Sequence, residues 1–327
     1  MEKIVYLVYN PLMNFWESLQ KPIMILAPMD GVTDTAFRQI ITSTGRPGVF
    51  FTEFVPVDAL LSPGKQRALR TLKYTEVERP IVAQIWGSDP EKFYEAAKII
   101  VKLGFDGIDI NMGCPDKSAI KKGACSALIN NPKLAQEIIK ATIKGAGKLP
   151  VSVKTRIGFK KIATEEWITT LLQTPISALT IHLRTASEMS KPPAHWDQMP
   201  KIIELRNKIN PKILIIGNGD VKSVVEAKDK CKEYGIDGVM IGRGIFENLY
   251  LFDESVDYLK ITSQEKIKLL IKHLKLYDKA YKGDRPFELM KKFVKCYINN
   301  FNGATEARER LMRAQDMAEL IKQAKSL

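Results

Sequence analysis

Gly107-Ile108-Asp109-Ile110-Asn111-Met112-Gly113-Cys114-Pro115 is an apolar run bearing a single acid, and it stops on asparagine, glycine, cysteine and proline. It reads as a buried strand that ends abruptly and presents a thiol where the chain leaves the sheet. A thiol serves as nucleophile, metal ligand or proton donor according to its surroundings. The reading of the rest of the chain therefore turns on what it places around Cys114.

Runs of the same kind recur on both sides: Ile23-Met24-Ile25-Leu26-Ala27-Pro28-Met29, residues 49–54, Ile81-Val82-Ala83-Gln84-Ile85-Trp86-Gly87, Val151-Ser152-Val153-Lys154-Thr155-Arg156, Ala178-Leu179-Thr180-Ile181-His182, residues 213–220, and Gly238-Val239-Met240-Ile241-Gly242-Arg243-Gly244. Such continuous runs suit parallel strands covered on both faces. Helical periodicity separates them at 34–43, 90–103, 132–144, 164–173, 196–208 and 221–234. Two of these helices open on an aspartate or asparagine followed by proline (Asp89-Pro90 and Asn131-Pro132), a cap signal. Strands alternating with helices mean parallel β/α units. Eight of them over residues 23–250 predict a closed (β/α)8 TIM barrel rather than an open sheet. Gly104-Phe105-Asp106-Gly107 and Gly235-Ile236-Asp237-Gly238 echo one another ahead of the fourth and eighth strands. Beyond Phe246 the pattern becomes wholly helical, at 263–281, 286–297 and 305–325, with glycine turns between. The expected class is α/β, a barrel followed by a small all-helical C-terminal domain over residues 251–327. Residues 1–22 form an N-terminal extension to which the sequence assigns no role.

No apolar run approaches the roughly 20 residues of a membrane span, and the first 22 residues, broken by Glu2, Asn10, Pro11 and Glu17, do not read as a signal peptide. A cytoplasmic monomer with no membrane partner is expected. Cys114, Cys125, Cys231 and Cys296 form no CxxC pair and only three histidines are present, so neither a metal site nor a disulfide scaffold is expected. The net charge is +13, and residues 259–327 hold 16 Lys and Arg against 8 Asp and Glu. That excess suggests a polyanionic partner, although a lysine-rich solvated helix face would look the same.

Chemistry in such barrels sits at the C-terminal strand ends. Those positions hold Pro28 with Met29, Glu53, Gln84, Asn111 with Cys114, Lys154 with Arg156, His182 with Arg184, Asn218 with Gly219, and Gly242 with Arg243. Together they make a ring of hydrogen-bond donors with a cysteine beside it. The glycine loops at Gly217-Asn218-Gly219-Asp220 and Gly242-Arg243-Gly244 follow the last two strands, the usual phosphate position of this barrel. A phosphorylated cofactor across the mouth is one reading, with Lys154 at the N1–C2=O edge of a flavin. A sugar phosphate with Lys154 as Schiff-base lysine is another, and a non-catalytic RNA-binding protein is a third.

The blocks Ala27-Pro28-Met29-Asp30-Gly31-Val32-Thr33-Asp34, Asp109 to Pro115, Val153-Lys154-Thr155-Arg156-Ile157-Gly158, Ile181-His182-Leu183-Arg184-Thr185, Gly217 to Asp220 and Gly238 to Gly244 resemble, in order and spacing, the bacterial tRNA-dihydrouridine synthases. The resemblance implies an FMN-dependent barrel and a helical RNA-binding domain, with NADPH or NADH as reductant and tRNA as substrate. It implies hydride transfer from flavin N5 to C6 of a uracil and a proton from Cys114 to C5. By the same resemblance Pro28, Met29, Gln84, Lys154, His182, Asn218, Gly219, Gly242 and Arg243 contact FMN, while Asn111, Arg156 and Arg184 contact the substrate. Lys291, Lys292 and Lys295 take the place of the family's basic helix and are expected to neutralise phosphates. Cys125 is read as structural. Leu183 stands where the family usually has glycine, an exchange expected to reshape the floor of the site.

Overall fold

A computed structural model of the chain describes residues 14–327. Its strands are β1 (Ile23–Leu26), β2 (Phe50–Phe51), β3 (Val55–Pro56), β4 (Ile81–Trp86), β5 (Gly107–Met112), β6 (Val151–Gly158), β7 (Ala178–Thr185), β8 (Leu214–Asn218) and β9 (Gly238–Ile241). All pair in parallel, each of β4 to β9 with the next in sequence and β9 with β1. β2 and β3 are two pieces of one interrupted strand, both paired with β4. A bridge between Ile25 and Val49 closes the ring, giving the eight-stranded barrel expected. The second strand breaks at residues 52–54 instead of running through them, because Glu53 turns away to bind the helical segment.

Around the ring lie α1 (Phe15–Ser18), α2 (Thr35–Thr44), α3 (Val57–Leu61), α4 (Lys65–Thr71), α5 (Pro90–Lys102), α6 (Lys117–Lys121), α7 (Pro132–Ala146), α8 (Thr164–Leu172), α9 (Met199–Ile209) and α10 (Val224–Tyr234). The start signals act as read: the Asp89 side chain accepts from the amides of Glu91 and Lys92, and Asn131 accepts from Leu134.

Both faces of each strand are buried, yet they differ. Ile108, Ile110 and Met112, like Val151, Val153, Leu179, Ile181 and Leu183, join the apolar layer between sheet and helices. Side chains alternate along a strand, so Asp109, Asn111, Lys154, His182 and Arg184 face the barrel interior. Leu183 is therefore in the outer layer and does not reshape the floor of the site; the expectation drawn from it fails on strand parity.

The sequence echo has a physical meaning. Asp106 Oδ2 accepts the amide of Ile81 at 2.7 Å and its other oxygen meets Arg79 at 2.5 Å. Asp237 Oδ2 accepts the amide of Ile215 at 2.8 Å and pairs with Arg206, while its Oδ1 pairs with Lys21. Each carboxylate pins the start of the preceding strand.

Of the N-terminal extension, residues 1–13 lie outside the described residues. Phe15 and Trp16 on α1 stack at 4.8 Å and are buried with Ile23, Ile25, Phe51, Val82, Ala178 and Ile216, plugging the barrel at its N-terminal end. A Cβ on Gly107 would lie 3.1 Å from the Phe15 ring, so the first residue of β5 is small because the plug lies against it.

After the barrel come α11 (Ser263–Tyr281), α12 (Val294–Tyr297), α13 (Ala304–Met312) and α14 (Met317–Lys325). The stretch expected as a helix at 286–297 is mostly 3-10 from Phe287 to Phe293, whose three-residue repeat brings Met290 and Phe293 to one buried side. The helix expected at 305–325 breaks at residues 313–316. The helical segment shares its core with α2: Phe293 stacks on Phe37 at 5.2 Å and meets His273 at 4.9 Å. Among the described residues no helix is long and apolar enough to cross a membrane.

Trp16 is 2% exposed, so Trp16→Ala should lower stability by about 3–5 kcal/mol. A urea midpoint unchanged from the parent protein would show that the plug contributes nothing.

Candidate active site

The C-terminal ends of β1, β6, β7, β8 and β9 enclose a cavity of about 470 Å3, within the roughly 300–1,000 Å3 of small-molecule sites. Pro28, Met29, Lys154, His182, Asn218, Gly219, Gly242 and Arg243 all line it, as does Arg184. Lys154 Nζ donates to Asn218 Oδ1 at 3.1 Å, and Asn218 Nδ2 donates to the Met240 carbonyl at 2.8 Å, which fixes the amide's orientation. Burial, then the Arg156 charge, lowers the Lys154 pKa to about 8 against the pull of Asp109 and Cys114.

Arg184 Nη1 lies 3.1 Å from His182 Nε2. A guanidinium only donates, so Nε2 accepts and the ring proton sits on Nδ1. Burial, followed by the charges of Arg156, Lys154, Arg184 and Arg243, drives the His182 pKa far down, and the ring is neutral. Arg184 also donates to Asp220 at 2.5 Å and to the Pro192 carbonyl at 2.6 Å. Burial raises the Asp220 pKa, but the bonds from Arg184 and the Ala194 amide and the charges of Arg184 and Arg243 outweigh it, and the net shift is downward. Arg243 is 65% exposed and sits 3.7 Å from Asp220, free to turn toward an anion. Gly219 has φ +142°, and a Cβ there would come within 2.6 Å of Ala194; only glycine lets this loop lie so close. Lys154, Arg184, Lys222 and Arg243 share the cavity lining with only two acids, Asp220 and Glu247. That surplus of positive charge suits a ligand with a phosphate. Asp220 closes the glycine loop read as a phosphate position, whereas Ser190 and Lys222 are cavity residues that the strand-end reading missed, because they lie on loops whose path only the fold reveals.

The other side of the mouth is built differently. Asp109 accepts from Ser152 Oγ at 2.6 Å and from Gln84 Nε2 at 2.7 Å. Gln84 Oε1 accepts from Asn111 Nδ2 at 3.1 Å, and Asn111 Oδ1 accepts the amides of Gly113 and Cys114, both at 3.0 Å. This chain of bonds ends on the backbone of the cysteine. Gln84 is fully buried and, with Asn111, holds the loop of Cys114; neither lines the cavity. Burial raises the Asp109 pKa to about 6 despite the bonds from Ser152 and Gln84. Arg156 ties the same loop to the far wall, donating to the Gly113 carbonyl at 2.7 Å and to the carbonyls of Thr185 and Met189 at 2.9 and 2.8 Å.

Cys114 is partly exposed. The Cys125 thiol donates a hydrogen bond to its sulfur and, with a smaller contribution from the Asp116 amide, pulls its pKa down to about 7 against burial. Among the described residues no group of three or more His, Cys, Asp or Glu could hold a metal ion.

The family model for dihydrouridine synthase matches residues 25–326. The chain belongs to the dihydrouridine synthase family. It is 44% identical over 309 residues to a probable tRNA-dihydrouridine synthase of Staphylococcus aureus (strain COL), covering 94% of this chain and 93% of that one. It is 43% identical over 310 residues to probable tRNA-dihydrouridine synthase 2 of Bacillus subtilis (strain 168), covering 94% of both. Among solved structures, morphinone reductase superposes with a TM-score of 0.52 at 11% identity over 71% of this chain and 84% of its own. 2-Naphthoyl-CoA reductase does so with 0.57 at 13% identity over 73% and 52%. At such identities the likeness concerns the barrel fold alone.

In this dihydrouridine synthase the three lysines of the basic segment are not equivalent. Lys291 Nζ donates to the carbonyls of Met312 and Ala314 at 2.9 and 2.7 Å, and Lys292 Nζ donates to the Gly31 carbonyl. Lys295 lines a groove of about 510 Å3 with Lys291, Arg308 and Arg313. Arg308 and Arg313 were not singled out in the sequence; their spacing from each other was the available signal.

Gln84→Leu would leave Asp109 and Asn111 each short of a buried partner, at about 1–3 kcal/mol per group. We expect a loss of stability of about 2–6 kcal/mol, read as a shift of the denaturation midpoint; a variant as stable as the parent would mean that the chain of bonds is dispensable.

Proposed function

We propose that this protein reduces the C5=C6 bond of uridines in tRNA, with flavin mononucleotide as resident cofactor and NADPH or NADH as reductant. One observation carries the reading: a partly exposed thiol at the end of β5 shares the barrel mouth with a cation-rich cavity built on β6 to β9. The names borne by the relatives, probable tRNA-dihydrouridine synthases, support it.

The residues fit the cofactor. The close-lying glycine loop at Gly219, together with Gly242 and the exposed charge of Arg243, suits its phosphate. Lys154, held by Asn218, suits an electron-rich ring edge, while Pro28 and Met29 supply apolar surface and neutral His182 keeps an Nδ1–H donor. When bound, the flavin supplies the hydride. Cys114 Sγ holds the proton that the reduced base requires. Asn111 and Arg156 fix the backbone that presents this thiol, and with Arg184 they border the base, which has to leave its stack to enter the barrel. Gln84 acts through the same loop. Lys295, Lys291 and Lys292, with Arg308 and Arg313, give the helical segment the positive surface that a phosphate backbone binds. A lysine of lowered pKa also suits Schiff-base chemistry, but membership in a family of reductases weighs against that use of Lys154.

The purified protein should be yellow, and its released chromophore should be FMN; a protein that takes up no flavin on reconstitution would overturn the proposal. Cys114→Ala should retain flavin and NADPH oxidation and lose about a hundredfold or more of dihydrouridine formation, read by nucleoside mass spectrometry of the tRNA.

An acid must be protonated to act. As the Cys114 pKa lies near 7, turnover should be full below that pH and should fall as pH rises through it. A profile flat between pH 6 and 9, with chemistry rate-limiting, would remove Cys114 from the acid role.

A further inference from the structure

Cys125 is expected from the sequence to be structural, yet it lies beside the thiol at the mouth and contributes most to its titration. It lies on a loop that leaves α6 and folds back past the end of β5. The Ser126 amide donates to the Cys114 carbonyl at 3.3 Å, which binds the two backbones together one residue from Cys125. The amide of Ala124 donates to Ala119 and that of Ala127 to Ala124, at 3.0 and 3.1 Å, so the loop is pinned on both sides of the cysteine. Cys125 itself has φ +54°, a left-handed conformation that a residue with a Cβ adopts only where its surroundings impose it. Its thiol lies close enough to Cys114 for each to shift the titration of the other. Cys231 on α10 and Cys296 on α12 are buried, and among the described residues no other cysteine contributes to the titration of either.

We propose that Cys114 and Cys125 are a reversible disulfide pair, closed by a low-molecular-weight disulfide, and that closing it withdraws the thiol at the barrel mouth. The withdrawal of activity rests on the function proposed above; the bond itself does not.

The steps balance. The thiolate of Cys114, which is the partly exposed partner, attacks one sulfur of the small disulfide. A mixed disulfide forms on Cys114, and one small thiol leaves with the proton that Cys114 gave up. Cys125 then loses its proton and attacks the Cys114 sulfur, and the second small thiol departs with that proton. Two protein thiols are oxidised, one small disulfide is reduced to two thiols, and no metal or cofactor takes part.

Access and charge assign the roles. The attacking thiol has to be reachable and partly ionised, and Cys114 is both. Cys125 is buried and holds its proton tightly because it donates to Cys114 and would otherwise add a second negative charge beside it. Once Cys114 is a neutral mixed disulfide, both of those causes disappear, and only burial and the Asp116 charge still oppose ionisation. The first step thus prepares the second. A disulfide spans Cα atoms about 4.4–6.8 Å apart, and the bond from the Ser126 amide to the Cys114 carbonyl keeps the two backbones neighbours one residue from Cys125.

The test uses the full chain with its cofactor and oxidised glutathione as the probe. Wild-type protein should lose two hydrogens from its intact mass and retain no glutathione. Peptide mapping should join Cys114 to Cys125, and a thiol reductant should reverse the link. Cys125→Ala should instead keep one glutathione on Cys114. The wild-type result decides without the variant: glutathione retained on Cys114, or no reaction at either thiol, overturns the pair. The linked protein should form dihydrouridine about a hundredfold or more slowly and recover on reduction. Unchanged turnover of the linked form would overturn the withdrawal of activity and with it the acid role of Cys114, while the disulfide would stand on its mass.

Discussion

A carboxylate sealed inside a barrel can only accept hydrogen bonds, and the geometry of this mouth follows from that asymmetry. Asp109 takes Ser152 Oγ on one oxygen and Gln84 Nε2 on the other. Gln84 must therefore present its carbonyl to Asn111, and Asn111 must present its own carbonyl to the amides of Gly113 and Cys114. Each amide has two possible orientations, and the acid at the head of the chain selects one for both. The position of a reactive sulfur is thereby set three side chains away, by a residue that never reaches the cavity. Burial works against Asp109, raising its pKa to about 6. Between the ordinary carboxylate range and that value the folded protein holds the extra proton, so stability declines as pH rises through this window and is level above it.

Electrostatics across the mouth follows from crowding like charges in a dry place. Lys154, Arg156, Arg184 and Arg243 converge there, and Asp220 with Asp109 offsets only part of their charge. The system relieves itself at the groups that can lose a proton: His182 is neutral and Lys154 is lowered to about 8. The excess of basic over acidic side chains is what makes the cavity attractive to an anion. The same field, with the donated bond from Cys125, favours the thiolate of Cys114. An acid that releases its proton easily is also a thiol that is easily oxidised, and a second cysteine at hydrogen-bonding reach joins those two properties in one place.

Much of this was legible in the sequence because parallel strands buried on both faces leave long apolar runs, and because the residues closing them are polar at β4 to β8. The ring of eight, its closure and the cavity residues Pro28, Met29, Lys154, His182, Asn218, Gly219, Gly242 and Arg243 follow from position alone. What position does not reveal is which way a group is bonded. Gln84 and Asn111 stand at strand ends like Lys154 and His182, yet their amides are taken up by Asp109 and by the Cys114 loop. Leu183 was misjudged for want of its parity on β7. Cys125 was set aside because a loop cysteine has no period to read, and its approach to Cys114 depends on a left-handed turn that no propensity for cysteine suggests. The Phe15–Trp16 plug was missed for a similar reason: four residues carry too little pattern to announce a buried helix.

Glu53 shows how barrel and helical segment act on one another. Read as a strand-end residue, it accepts two bonds from Arg285, at 2.8 and 3.0 Å, and the Gly31 amide at 2.6 Å. Asp34, which caps α2 through the Phe37 amide at 3.0 Å, lies 3.8 Å from the same guanidinium. Burial and the Glu53 charge raise the Asp34 pKa to about 6, so two buried acids compete for one arginine from the helical segment. Removing that arginine would leave both without their counter-charge, a far larger penalty than the loss of a surface pair. The loop between β1 and α2, which begins at Pro28 and Met29 of the cavity, is consequently held from outside the barrel. Lys292 adds a second hold on the same loop at the Gly31 carbonyl. The basic segment is thus bonded directly to the chain that forms one wall of the cavity, and the two cannot shift independently without exposing a buried charge.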